Sequence, residues 1–320
     1  MSDHDLISFH RKLLNAPERM QQYQKAIHAA VKPGDVVLDL GCGSGILGLF
    51  ACQAGAAKVY AVERSEAIVL AKELAKANGF YERIVYLNQD IKDAQIPEKV
   101  DVIVSELISK GVLGQKMSES IGWCRDNLLK AGGRILPKEV DLFVAPVENA
   151  ELYRKTGLPE QTVYGLDFAP VRCRSASTPL SCRLPSESLL ASAQIAYHYD
   201  AYTAGTDDHF EATSFFTVEK TGTMHGIALW FSSVLADGHI LANVPPGIAA
   251  WDNLVLPLEQ PVVLLVGDVI ELSLTGRDDS KMPFMWVWRT VVKRKGVVVS
   301  EQKQSSFLAK LPQTCKASRG

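Results

Sequence analysis

Along the first 137 residues the apolar positions switch between two periods. Leu6, Phe9, Leu13 and Leu14 recur at helical spacing, which predicts helix over residues 5–30. After Pro33-Gly34, short apolar runs at 36–40, 58–62, 84–88, 100–105 and 133–136 predict strands. Helical patterns at 45–54, 65–78 and 117–129 lie between them, with Ser65 as a candidate N-cap and Asn78-Gly79 as a stop. Strands alternating with helices predict a parallel sheet covered by helices, the α/β class. Beyond Pro137 the pattern becomes alternating or β-branched, at 140–144, 192–199, 215–218, 227–232, 262–266, 269–274, 285–292 and 297–301. Gly, Pro and Asp turns separate these runs and predict an all-β second domain. A Pro/Ser/Cys-rich stretch over about 155–190 shows neither period and reads as an inserted arm. The 320 residues are enough for two core-forming units.

The candidate chemistry begins where the first of these strands ends. Val36-Val37-Leu38-Asp39-Leu40 runs into Gly41-Cys42-Gly43-Ser44-Gly45, and a helical pattern leaves the turn. Three alternate glycines let the backbone approach a ligand where a Cβ would collide. Glu63, at the tip of the second strand, can take both hydroxyls of a ribose. Asp39, two residues before the first glycine, would repel a pyrophosphate and suits a cationic ligand. S-adenosylmethionine (SAM), which carries a sulfonium and an ammonium, is therefore the expected cofactor. A glycine turn standing alone marks only a tight connection. Here Asp39, Glu63 and Asn88-Gln89-Asp90-Ile91 follow in the order of methionine end, ribose and adenine.

Composition narrows the partners. A formal net charge of −2 provides no bulk positive field for nucleic acid or an anionic membrane. No apolar run approaches 18 residues and the first residues lack an apolar leader segment, so a cytosolic protein is expected. The six cysteines show no CxxC pair, so neither a disulfide nor a metal site is expected.

Several stretches together resemble the protein arginine methyltransferases. These are His10 with Leu13-Leu14, Arg19 and Tyr23; the glycine turn and Glu63; Val100-Asp101-Val102-Ile103-Val104-Ser105-Glu106; Asp126 to Pro137; and Tyr164-Gly165-Leu166-Asp167-Phe168. The resemblance implies a Rossmann-like SAM-binding domain over 31–137, preceded by a helical segment over 1–30 that covers the cofactor. A β-barrel-like substrate domain follows over 138–320, with an arm at about 145–190. It assigns Arg19 to the methionine carboxylate, His10 to a contact near the cofactor, Glu63 to the ribose, and Glu106 to one arm of the substrate clamp. With Asp39, Gly41, Gly43, Gly45, Asp90 and Ile91 these form the expected cofactor site. Trp251 takes the family's cleft-facing position. His198, His209, His225 and His239 lie among the β runs and read as surface or core histidines, except that Asp237-Gly238-His239 looks like a turn that could face the cleft. Trp230, Trp286 and Trp288 read as packing.

The departures from the family bear on the acceptor. The second clamp glutamate is represented by Gln115, which is uncharged and both donates and accepts hydrogen bonds. The family's Thr-His-Trp triplet is represented by Ala249-Ala250-Trp251, and the acid that pairs with its histidine by Ala16, so both members of one ion pair are replaced together. These changes lead to an expected N-methyltransferase acting on a peptide or small-molecule nitrogen, an amide, amine or guanidine, rather than on standard histone-type arginine, with Glu106 and Gln115 as the acceptor-binding pair; the partner is a peptide, protein or small-molecule acceptor. The alternatives are arginine methylation with a weakened clamp, and a SAM-binding module without catalysis. The apolar Leu152, Tyr153, Leu158 and Tyr164 of the arm predict a homodimer.

Overall fold

The computed structural model describes residues 3–109, 114, 116–156, 162–163, 165–167, 171, 174–248, 250–279 and 282–307. Gln115, Leu158 and Tyr164 lie outside them. The amino-terminal half runs α1 (Asp3–Leu14), α2 (Pro17–Ala30), β1 (Val36–Leu40), α3 (Ile46–Gln53), β2 (Lys58–Val62), α4 (Ala67–Ala77), β3 (Ile84–Leu87), β4 (Val100–Ser105), α5 (Met117–Leu128) and β5 (Leu129–Leu136).

These strands form one sheet in the order β3-β2-β1-β4-β5, with every pairing parallel. This is the order of a Rossmann-like half, and it reverses direction between β1 and β4, where a crevice opens at the carboxyl ends of the strands. The expected single helix over 5–30 is two helices, because Pro17 has no N–H to continue α1 and instead starts α2 at its first position. Ser65 caps less directly than expected. The N-cap position of α4 is Glu66, and the Ser65 hydroxyl accepts the Ala67 amide at 3.3 Å.

The remainder is β6 (Glu139–Val147), α6 (Ala150–Thr156), β7 (Thr162–Val163), β8 (Leu166–Asp167), β9 (Leu180–Cys182), β10 (Gln194–Asp200), β11 (His209–Thr217), β12 (Gly222–Ala236), β13 (His239–Ala242), β14 (Asn253–Leu264), β15 (Val269–Asp279), β16 (Met282–Arg294) and β17 (Val297–Ser305). They make two larger antiparallel sheets, β10-β6-β12-β14-β9 with β13 paired to β12, and β11-β15-β16-β17. The sheets are stitched together by side chains. Gln260 and Gln302 exchange hydrogen bonds at 2.9 and 2.8 Å, and the Trp288 indole donates to the Pro257 carbonyl at 3.1 Å. One buried apolar cluster runs from Tyr23 and Ile27 of α2 through the parallel sheet to Phe231 and Trp288.

The arm differs from expectation at Leu152. Rather than waiting for a second chain, it packs with Ala145, Val147, Leu184, Ala228, Trp230 and Val255 in a smaller core of its own chain. Tyr153 follows it down, its hydroxyl donating to the Glu259 carbonyl at 2.9 Å. These two residues therefore give no support to a homodimer.

Candidate active site

Every residue singled out around the glycine turn stands after the carboxyl end of a parallel strand or directly beneath it. Gly41, Gly43 and Gly45 follow β1, Glu63 follows β2, Asp90 and Ile91 follow β3, and Glu106 follows β4. All of these except Gly45, which backs onto Ala71 of α4, line a cleft of about 680 Å³ together with His10 of α1, Arg19 of α2 and Trp251, within the range of small-molecule sites.

The turn is closed by its own backbone. The Gly41 and Cys42 amides donate to the Val62 carbonyl at 2.9 and 3.0 Å, which ties the turn to β2. Gly43 has φ +52°, and a Cβ there would lie 2.6 Å from the His10 ring, so α1 packs directly on the turn. The His10 ring is buried, and burial, aided by the Arg19 charge, keeps it neutral below the usual histidine range despite the pull of Glu63.

Glu63 is held with its carboxylate across the cleft. Oε2 accepts the Gly43 amide at 3.1 Å and Oε1 the Ser65 amide at 2.8 Å. Each oxygen keeps a further lone pair for hydroxyls of a ligand. On the far side, Asp90 caps the short turn at Ile91–Asp93, accepting the Lys92 amide at 3.1 Å, and Ile91 offers a buried apolar wall.

Asp39 occupies a different place from the one expected. It is fully buried beneath the turn rather than in the cleft wall, and its Oδ2 accepts the Gly48 amide of α3 at 2.8 Å. Its Oδ1 has no hydrogen-bond partner among the described residues. Burial pushes the carboxyl up to about 7, against the opposing Gly48 hydrogen bond. It supports the turn from below and is not among the residues that line the cleft.

The Glu106 side of the cleft centres on an ion pair between α2 and the end of β4. Arg19, Tyr23, Ala26 and Ile27 form the buried face of α2, and the face ends at the cleft with the Arg19 guanidinium. Arg19 donates to Glu106 Oε2 from Nε at 3.2 Å and from a terminal nitrogen at 2.8 Å. Its carbon sits 5.6 Å from the Tyr23 ring centre and 5.9 Å from that of Trp251. Tyr23, which the sequence marks only as part of the family resemblance and without a role, donates to the Ser105 carbonyl at 3.1 Å and so locks α2 to the end of β4. Burial raises the Glu106 carboxyl above the usual range, and Arg19 holds it back. Arg19 lines the cleft, and among the described residues its other terminal nitrogen donates only to the Met20 sulfur at 3.4 Å, so not all five N–H groups of the guanidinium are taken.

His239 is not brought to this cleft. It opens β13 on a hairpin with β12, opposite Ala236, and takes no part in the lining. Ala16 and Ala250 are both buried, as expected of positions that hold no charge. Leu107 and Lys116, which belong to the same chain stretch as Glu106 and Gln115, also line the cleft, and so does Ser120, which no motif marks. Their clustering comes from strand ends and not from spacing.

Residues 21–132 match the family model of ribosomal protein L11 methyltransferase (PrmA). The protein arginine N-methyltransferase 6 of Xenopus laevis is 32% identical over 238 residues, covering 71% of this chain and 70% of that protein. The chain belongs to the protein arginine N-methyltransferase family. A probable protein arginine N-methyltransferase 6 of Arabidopsis thaliana is 34% identical over 234 residues, and this chain spans about half of that relative's length, 54%. Among solved members of the family, a Trypanosoma brucei PRMT1 enzyme-prozyme heterotetrameric complex with AdoHcy superposes with a TM-score of 0.85 at 24% identity. The superposition covers 92% of this chain and 97% of that one. Arabidopsis protein arginine methyltransferase 10 follows at 0.81 and 22%, over 94% of this chain and 100% of that one. At these identities the superpositions speak for a common fold.

Proposed function

We propose that the protein is a SAM-dependent N-methyltransferase. The observation that carries this reading is the half-buried Glu106 carboxylate, lining the same cleft as the glycine turn, Glu63 and Arg19. The free donors of Arg19 suit the carboxylate of the methionine portion, Glu63 the ribose hydroxyls, and Ile91 with Asp90 the adenine. When bound, SAM supplies a methyl group made electrophilic by its sulfonium. The protein's part is to hold an acceptor nitrogen in line with it, which is worth several kcal/mol of barrier. Glu106 stabilises the positive charge that grows on that nitrogen and takes its proton.

The acceptor on this reading is less basic than a standard arginine guanidinium. Glu106 is already partly neutralised by Arg19, and Gln115 contributes no second negative charge. Arginine itself is the second reading, favoured by family membership, since the relatives are named for it.

Calorimetric titration with S-adenosylhomocysteine tests the cofactor site. Micromolar affinity is expected, weakened tenfold or more in Glu63→Ala and in Arg19→Ala, because each loses charge-assisted hydrogen bonds worth about 1.5–3 kcal/mol. No binding by the wild-type chain overturns the reading. Labelled SAM with a peptide panel presenting arginine, lysine, asparagine or histidine then tests the acceptor. Preference for the less basic side chains is expected, shifting toward arginine in Gln115→Glu. Efficient arginine methylation that ignores this substitution decides for the second reading, and labelling of no acceptor by a chain that binds the cofactor product points to a non-catalytic module.

A further inference from the structure

The acceptor side of the cleft ends at Lys116, and from there the chain enters α5 under the hold of two carboxylates from the antiparallel half. Asp278 of β15 accepts the Lys116 amide through Oδ2 at 3.1 Å, and Asp208, the residue before β11, accepts the Ser118 amide through Oδ1 at 2.8 Å. These amides belong to the start of α5, where N–H groups have no partner within the helix and the helix dipole favours negative charge. The two acids are fixed to each other as well. The Asp278 amide donates to the Asp208 carbonyl at 2.8 Å, extending the β11-β15 ladder one step beyond the His209–Arg277 pair.

The grip continues along the same face of α5. Gly122 passes so close to the 200–208 segment that a Cβ would come within 3.1 Å of the Thr206 methyl. Arg125 donates to the Ala201 and Ala204 carbonyls at 3.2 and 2.8 Å. Ser118, Gly122 and Arg125 are spaced four and three residues apart, one stripe of a helix. Lys116 meanwhile adopts a left-handed backbone, φ 58°, which a non-glycine residue holds only where its surroundings impose it. Both Lys116 and Ser120 line the cleft.

We propose that Asp208 and Asp278 are positioning residues of the acceptor site. They set where the chain stands at Lys116, a residue that lines the cleft, and at the first turn of α5. The proposal rests on the methyltransferase reading above and adds that the antiparallel half controls acceptor geometry through two backbone amides at the start of α5, from residues that do not line the cleft.

The test uses the full chain with Asp208→Ala/Asp278→Ala and Asp208→Asn/Asp278→Asn, the second pair keeping a carbonyl oxygen for each amide. In the alanine pair, amide hydrogen exchange at Lys116 and Ser118 is expected to accelerate tenfold or more. Its kcat/KM for the best peptide of the panel should fall at least tenfold, with S-adenosylhomocysteine affinity within twofold of wild type. The asparagine pair should recover exchange protection and kcat/KM to within threefold. Unchanged exchange overturns the anchoring, and loosened amides with unchanged kinetics overturn the positioning role. A parallel loss of cofactor affinity also overturns it, because the effect would then be general. Failure of the methyltransferase reading looks different: wild-type chain binding no S-adenosylhomocysteine, seen before any variant is made, removes both.

Discussion

Asp39 shows how one residue can be recognised by pattern and yet act in a different place. Its position before the glycine turn was legible; its burial beneath the turn was not, because a strand's inward and outward faces depend on what packs above and below. Its carboxyl is held at about 7, above the ordinary value near 4, chiefly by burial. Between those pH values the native protein keeps the proton and the unfolded chain releases it, so stability falls as pH rises through this window. The full shift corresponds to about 4 kcal/mol at about 1.36 kcal/mol per unit. Asp39→Asn keeps an oxygen for the Gly48 amide and cannot ionise. It is expected to melt above the wild type at pH 8, with the gap narrowing at pH 5; thermal melts showing a gap that does not change with pH would contradict this account.

Elements are where the glycine pattern acquires its meaning. A positive φ alone costs a substituted residue about 1–2 kcal/mol. Gly79, at φ +73° with open space where a Cβ would stand, should cost no more than that when changed to alanine. Gly43 has a comparable φ, but its Cβ would strike the His10 ring, so Gly43→Ala must also displace that ring from its packing on the turn. Denaturant unfolding should show the Gly43 variant losing clearly more stability than the Gly79 variant, and only the Gly43 variant should lose S-adenosylhomocysteine affinity; equal effects would mean that the His10 packing on the turn does not shape the cleft. The helix periods and most strands were readable from the hydrophobic spacing. The break at Pro17 was readable in principle from the missing N–H. The full 15 residues of β12 were not, since its partners change along its length from β13 to β6 and β14.

At the scale of the molecule, the arm tests what the antiparallel half is built to do. Leu152 fills a core with Trp230 and Val255, so Leu152→Ala leaves a cavity and is expected to lower stability by about 2–5 kcal/mol. Its association state should match that of the wild type; light scattering that shows a change of state without a loss in melting temperature would return Leu152 to an interface. The continuous apolar cluster from α2 to β16 likewise makes the two halves share one interior, and the cleft lies where that interior reaches the surface at the ends of β1 and β4.

The order of strands and helices, the glycine turn and the residues that follow each strand were determined by the sequence itself, because backbone period, turn chemistry and chain order are local. Chain order also implied the cleft, since a parallel sheet gathers the residues after its strands at one edge. Tertiary structure decided which of these side chains face a ligand. It sank Asp39 beneath the turn and joined Arg19 to Glu106 across 87 residues of chain. It left His239 on a hairpin away from the cleft and set Asp208 and Asp278 behind α5. Such pairings depend on the distance and burial of groups remote in sequence, which no local pattern encodes.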